Sequence, residues 1–174
     1  MHYLVKRAQQ RDDQAFVELI EAVKCDLYKV ARSYLNSPED IADAIQETIV
    51  TCYEKIDRLK EPKHFKTWLI RILINKCNDI IRAGRRECPM EYLPEQEDLS
   101  MEMPNRDFED LIDQMEEKYR TILILYYAEG FKIREIAQIM DMEENTVKTR
   151  LSRGRKQFQK IYLLDLNEGR RQNA

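Results

Sequence analysis

Glycine and proline are scarce, at four and five residues in a chain of 174. A sheet protein of this length needs more turn residues, because hairpins and bulges demand them at fixed positions. Histidine is rarer still, at two residues, which leaves little for a His-centred catalytic or metal site. The four cysteines, Cys25, Cys52, Cys77 and Cys88, contain no C-x-x-C pair and lie near no histidine cluster, so no zinc site or other metal is expected. Three of them fall inside helical patterns, where cysteine behaves as a small apolar residue. They read as reduced thiols of a cytosolic protein. No apolar run approaches the ~18 residues of a membrane span. The opening Met1-His2-Tyr3-Leu4-Val5-Lys6-Arg7 lacks the apolar stretch of a secretion signal. A soluble, cytoplasmic chain is expected.

What is present is 43% apolar and 35% charged residues. That is enough for a packed core and suits well-solvated helices. An all-α fold follows, of one ordinary domain or two small ones. Phe16, Leu19, Ile20, Val23, Leu27, Val30, Ala31 and Tyr34 recur at three- and four-residue steps, predicting one helix from Asp12 or Asp13 to about Leu35. Asn36-Ser37-Pro38-Glu39-Asp40 ends it and starts another, with Ser37 as N-cap, Pro38 in the first helical position and two acids in the first turn. That second helix turns Ile41, Ile45, Thr48, Ile49, Cys52 and Ile56 inward and shows Asp40, Asp43, Gln46, Glu47 and Glu54 on its other face. Residues 57–64 read as a polar loop containing Pro62. A third helix opens at Phe65, carries Trp68, Leu69, Ile72, Leu73 and Ile80 in its stripe, and is expected to stop near Gly84.

Composition then breaks. From Glu87 to Glu117 there are twelve acids against one base, Arg106, with Pro89, Pro94 and Pro104 among them. Little periodicity precedes Phe108, so the stretch reads as an extended linker merging into a helix near Asp107. The expected organisation is an N-terminal domain over residues 1–86, an acidic linker over 87–107 and a C-terminal domain over 108–174. In the last, Leu111, Ile112, Met115, Tyr119, Ile122, Leu123 and Tyr126 predict a helix ended by Gly130.

A net charge of −3 argues against a simple nucleic-acid binder, but charge is segregated. Lys63 to Arg86 holds seven bases and one acid; Asn145 to Lys160 holds six bases and none. Two basic helices, each with an apolar face opposite, fit phosphate neutralisation and counterion release better than two solvated surfaces.

Lys132 to Met140 reads as the first helix of a helix-turn-helix, Asp141 to Glu144 as the turn, and Asn145 to Lys160 as most of the second helix. Small Ala137 permits close crossing and Met142 plugs the turn. Val147, Leu151, Gly154 and Phe158 face inward. Lys148, Thr149, Ser152, Arg153 and Lys156 are left on the outer face, where donors reach base edges in a major groove. Arg150 and Arg155 extend this set, with Arg155 and Lys160 suited to phosphates. The pattern is specific for DNA binding but not for one class of DNA-binding protein.

The class comes from the rest of the chain. Asp40-Ile-Ala-Asp43-Ala-Ile-Gln46-Glu47-Thr48 resembles the polymerase-binding helix of sigma factors of the extracytoplasmic-function type, in the sigma-70 family. Phe65-Lys-Thr67-Trp68-Leu69-Ile70-Arg71-Ile72 resembles the segment that follows it, and Asn75, Asp79, Arg82 and Arg85-Arg86 match the end of the promoter-contacting helix. Glu117-Lys-Tyr-Arg120, Gly130 to Ala137 and Asn145 to Arg155 resemble the C-terminal domain. The match spans about residues 8 to 162. Asn145 stands where the family usually has glycine, and Ile49 and Val50 where it usually has phenylalanine.

The resemblance implies a factor that binds core RNA polymerase through Asp40, Asp43, Gln46 and Glu47. It implies minus-ten promoter contacts by Lys60, Lys63, His64, Lys66, Thr67, Arg71, Asn75, Lys76, Asn78, Arg82, Arg85 and Arg86. Minus-thirty-five contacts fall to Lys148, Thr149, Arg150, Ser152, Arg153, Arg155 and Lys156. Trp68 is assigned to core packing rather than base stacking. The implied partners are core polymerase, promoter DNA and an anti-sigma factor, often membrane-bound, that restrains the factor until a stress signal. No cofactor, catalytic residue or small-molecule substrate is implied. Competing readings are a dimeric helix-turn-helix regulator, which needs a dimerisation or effector domain, a nuclease, which needs clustered metal-binding carboxylates, and a helical adaptor without a DNA role.

Overall fold

A computed structural model describes residues 1–87 and 106–172, with side chains over 1–84 and 110–166. Residues 88–105 of the expected acidic linker and the side chains of Arg85 and Arg86 lie outside the described residues; of the linker's expected ends, Glu87 belongs to a helix and so do Arg106 and Asp107. Every regular element among the described residues is helical, as expected, and they fall into two compact units.

The first unit begins with α1 (His2–Gln9), which the periodicity did not announce. It buries only Val5 and Ala8, too few positions to make a pattern. Polar bonds dock it: the Gln9 amide donates to the carbonyls of Ile56 (3.0 Å) and Leu59 (2.7 Å). Arg7 meets Asp12, Nε to Oδ2, at 2.7 Å. Asp12 also accepts the Ala15 N–H at 3.0 Å and so caps α2 (Asp13–Glu21). That amide bond, then the guanidinium, hold its carboxyl below the usual range.

The single helix expected from Asp13 to Leu35 is two, α2 and α3 (Lys24–Arg32). Val23, between them, departs from regular helical geometry at φ −119° and ψ −2° and stands as the N-cap of α3. Leu19, Val23, Leu27 and Val30 are all buried. The apolar period therefore runs across the break and conceals it.

α4 (Pro38–Lys55) starts as expected. Ser37 Oγ accepts the Asp40 N–H at 3.3 Å and Pro38 occupies the first turn. Ile41, Ala44, Thr48 and Cys52 are buried, and the Thr48 hydroxyl donates to the Ala44 carbonyl at 2.7 Å, so its burial leaves no polar group unsatisfied. Short 3-10 turns at Ile56–Arg58 and Pro62–His64 lead to α5 (Phe65–Glu87), which packs along α4. α5 buries Phe65, Leu69, Ile70, Leu73, Ile74 and Cys77, while Trp68, Ile72 and Ile80 are half-buried. Gly84 does not end it: the helix runs on to Glu87.

In the second unit the helix expected from about Asp107 to Gly130 is also broken. α6 (Arg106–Asp113) and α7 (Glu117–Leu123) are separated by a bend. Arg120, buried at 8% exposure, reaches back across it, Nη1 lying 3.4 Å from the Asp113 carbonyl and 3.7 Å from its carboxylate. A π turn, Ile124–Ala128, follows. Gly130 at φ 70° closes it, and the Phe131 N–H donates to the Leu125 carbonyl at 3.0 Å.

α8 (Ile133–Met140) and α9 (Glu144–Gln172) form the expected helix-turn-helix. Glu135 accepts the Lys132 N–H at 2.8 Å to start α8. Asp141 takes the left-handed conformation, φ 51° and ψ 53°, that ends it. The Met142 N–H bonds to the Ala137 carbonyl at 3.0 Å, and the Glu143 carbonyl accepts the first amides of α9. Val147 and Leu151 are buried. Gly154 lets α9 approach α7: a Cβ there would lie 3.3 Å from Tyr119 Cβ and 3.4 Å from Leu123 Cγ.

Two glycines should respond oppositely to alanine. Gly84 lies in a helix with nothing within 4 Å of a Cβ. Gly84→Ala should stabilise the first unit by about 0.5–1 kcal/mol. Gly130 sits at positive φ, and Gly130→Ala should destabilise the second unit by about 1 kcal/mol. Hydrogen exchange, read separately for amides of α5 and α7, reports both signs.

Candidate functional site

Three surfaces carry the residues singled out from the sequence. The first is the outward face of α4. Asp43, Gln46 and Glu47 are exposed at helical steps of three and one, and Asp40, one turn earlier, is half-buried. Val50 continues the same stripe at 53% exposure. By its residue type Val50 is only a departure from the family pattern, yet the helix shows it to solvent within an acidic face. Its signal was the 43/46/47/50 spacing.

The second surface is the loop before α5 and α5 itself. The structure divides the predicted set. Thr67, Arg71, Asn75, Asn78 and Arg82 follow one another at steps of four, four, three and four along the outward side, with Arg71, Asn75 and Arg82 exposed. Lys66 and Lys76 flank the buried stripe instead. Lys66 pairs with Asp26 of α3 at 2.8 Å, and Lys76 pairs with Glu47 of α4 at 2.8 Å. Lys60 is exposed. Lys63 and His64, also exposed, stand 2.7 Å and 3.6 Å from the Glu61 carboxylate. Lys63, then His64, hold that carboxyl below its usual range. Arg82 lies 3.5 Å from Asp79. Trp68 is half-buried, its ring 6.3 Å from that of Phe65.

The third surface is α9. Lys148, Thr149, Ser152, Arg153 and Lys156 are exposed opposite Val147, Leu151 and Gly154. The Thr149 hydroxyl donates to the Asn145 carbonyl at 2.8 Å. Two predicted members flank this stripe. Arg150 is half-buried, and Arg155 lies over the rings of Tyr126 and Tyr127 at 5.8 and 5.6 Å. Arg155 also lines an apolar cavity of about 360 Å³ with Ile112, Leu123, Tyr127 and Phe158. No sequence pattern announces this cavity, since its walls come from three helices and the π turn.

Among the described residues no group of three or more His, Cys, Asp or Glu side chains could hold a metal ion, and no helix is long and apolar enough to cross a membrane.

Comparison with known proteins bears on this arrangement directly. Residues 19–87 match the family model for Sigma-70 region 2, and residues 105–158 match that for Sigma-70, region 4. RNA polymerase sigma factor SigV of Bacillus subtilis is 30% identical over 86% of this chain and 92% of its own. The chain belongs to the sigma-70 family. ECF RNA polymerase sigma factor SigW of the same organism is 27% identical over 90% of this chain and 93% of its own. By fold, the chain is similar to the sigma factor RpoE of Bartonella quintana, solved in complex with the anti-sigma factor NepR, with a TM-score of 0.71, 24% identity and coverage of 86% of this chain and 98% of that one. Sigma factors bind core RNA polymerase and direct it to promoters; they are transcription regulators rather than enzymes. The two basic helices fall one in each matched region.

The cysteines give a test of the packing between the surfaces. Cys52 and Cys77 are buried and Cys25 is exposed. Burial pushes the Cys52 thiol up to about 12. Iodoacetamide followed by peptide mass analysis should label Cys25 in the folded chain and leave Cys52 and Cys77 intact until it unfolds. Because the folded chain holds the Cys52 proton more tightly than the unfolded one, this group's contribution to stability is full below the thiol's ordinary value near ~9 and is lost as pH rises from there toward about 12.

Proposed function

We propose that this chain is an alternative sigma factor of the extracytoplasmic-function type, and that its three surfaces divide the work. The single observation that supports the division is the disposition of charge. An acidic face on α4 borders a polar, cation-bearing stripe on α5, and a second basic face lies on α9 in the other unit.

In this reading Asp40, Asp43, Gln46 and Glu47 dock on a basic surface of core polymerase, opposite charges steering the encounter. Exposed Val50 adds apolar contact within that face. The loop with Lys60, Lys63 and His64 and the start of α5 with Lys66 and Thr67 take the minus-ten element. Opening it costs a few kcal/mol for each base taken from the stack, offset by holding the freed strand on a basic surface. Arg71, Asn75, Lys76, Asn78, Arg82, Arg85 and Arg86 hold the adjoining duplex. α9 enters a major groove at the minus-thirty-five element through Lys148, Thr149, Ser152 and Arg153, with Lys156 following along its outer face. Arg150 and Arg155, on the flanks, suit phosphates better than base edges. The proposed domains are residues 1–86 and 108–174, with the acidic linker between. The factor works in the cytoplasm, where its polymerase is. A neighbour by fold was solved with its anti-sigma factor, and we read this chain as restrained in the same manner until a stress signal.

The test is transcription from genomic DNA by core polymerase lacking other sigma factors. With this protein added, transcripts should start at discrete sites sharing two upstream elements. Asp43→Lys with Glu47→Lys should abolish them while the protein stays folded. No stimulation over core alone would overturn the proposal and favour a dimeric helix-turn-helix regulator.

A finer prediction separates the roles on α9. Arg153→Ala should cost about 1–3 kcal/mol and relax preference at one base of the upstream element, whereas Lys160→Ala should weaken all promoters alike and lower the salt slope by about one. Binding of holoenzyme to a library of single-base promoter variants checks both.

A further inference from the structure

Glu47 and Lys76 belong to different proposed surfaces. Glu47 lies in the acidic face of α4, assigned to polymerase; Lys76 lies on α5, assigned to promoter DNA. In the structure the two are joined, Lys76 Nζ to Glu47 Oε2 at 2.8 Å, in a charge-assisted bond between the two helices. The carboxylate is the outer member, its side chain 64% exposed against 30% for the lysine. An outside cation can therefore reach Glu47 without displacing anything but Lys76.

A lysine already neutralised by a carboxylate contributes less to DNA binding, because it releases no further counterion when it meets a phosphate. A glutamate already holding an ammonium is likewise a weaker site for a basic partner. Each surface thus holds the other partly neutral while the chain is free.

We propose that the Glu47–Lys76 pair is an electrostatic latch that couples polymerase binding to promoter binding. A basic side chain of the polymerase captures Glu47, the bond to Lys76 opens, and the ammonium becomes available to a DNA phosphate. Linkage makes the effect reciprocal: DNA that captures Lys76 frees Glu47 and raises affinity for polymerase by the same factor. A partly exposed pair sets the scale at no more than about five-fold in either constant. The proposal rests on the reading of α4 and α5 given above.

The experiment uses the full free chain and a fluorescein-labelled mixed-sequence DNA duplex of about 30 base pairs, with affinity read by anisotropy between about 25 and 150 mM salt. Glu47→Gln should tighten binding about three- to five-fold and steepen the log–log salt slope by about 0.9, one phosphate's worth. Glu18→Gln, which removes an exposed acid on α2, serves as the control for bulk charge and should change affinity by less than about 1.5-fold. In a Lys76→Met background the effect of Glu47→Gln should vanish, because the released cation is gone. Equal gains from Glu47→Gln and Glu18→Gln, or a gain that survives Lys76→Met, would overturn the latch. If Lys76→Met weakens DNA binding and Glu47→Gln changes nothing, the latch alone falls. If Lys76→Met leaves DNA binding unchanged even in a Glu47→Gln background, where the lysine is released, the assignment of Lys76 to DNA falls and takes the latch with it.

Discussion

The packing of α4 along α5 is the constraint on which the first unit depends. Each helix has one apolar side, and burying a Leu, Ile or Phe stabilises by about 1.5–3 kcal/mol. α4 contributes Ile41, Ala44 and Cys52, and α5 contributes Phe65, Leu69, Ile70, Leu73, Ile74 and Cys77, all at 5% exposure or less. Once these faces are committed inward, the rotation of each helix is set. The residues left outside are then determined as well: Asp43, Gln46 and Glu47 on α4, and Arg71, Asn75 and Arg82 on α5. The proposed binding surfaces are what the core leaves over. Their charges carry little of the fold's stability, which makes them available to partners.

That logic explains which parts of the structure could be read from the sequence. Helix starts with a local chemical signature were legible, as at Ser37-Pro38, and so was the helix-turn-helix, whose Ala137, Val147 and Leu151 sit at fixed spacings. Breaks inside a continuing apolar period were not. Val23 remains on the buried face while its backbone leaves the helix, so the pattern on either side stays in phase. The bend before α7 escaped for a different reason. A buried arginine, Arg120, reaches back to Asp113 across it, and an apolar count assigns arginine to the surface. α1 was missed because two buried residues, Val5 and Ala8, make no period and its docking depends on the Gln9 amide.

The site shows the same division. Positions along α4, α5 and α9 were legible because a helix converts spacing into a face. The neutralisation of Lys66 and Lys76 was not, because their partners Asp26 and Glu47 are distant in sequence. The Lys63–Arg86 stretch contains a single acid, Asp79, yet Glu61, Asp26 and Glu47 come against Lys63, Lys66 and Lys76 from outside it. Folding therefore removes much of the excess positive charge that the linear count assigns to α5. On α9 the count survives: among the described residues no acid pairs with Lys148, Arg153, Lys156 or Lys160, and Arg155 is held over two tyrosine rings instead.

The two basic faces are consequently unequal in the free chain. α9 presents bare cations that can act on a phosphate backbone without first breaking an ion pair, and counterion release there is undiminished. α5 presents a polar stripe whose flanking lysines are occupied. On the proposed reading, a duplex meeting the free chain is drawn more strongly to the helix-turn-helix than to the surface proposed for promoter opening. Tempering the latter suits its task. A face that must grip a separated strand is of use only once polymerase is in place, and an ungated cationic face there would bind duplex DNA indiscriminately. The carboxylates that restrain Lys66 and Lys76 come from α3 and α4, so this restraint is a property of the folded unit, whereas Glu61 restrains Lys63 from within the same loop.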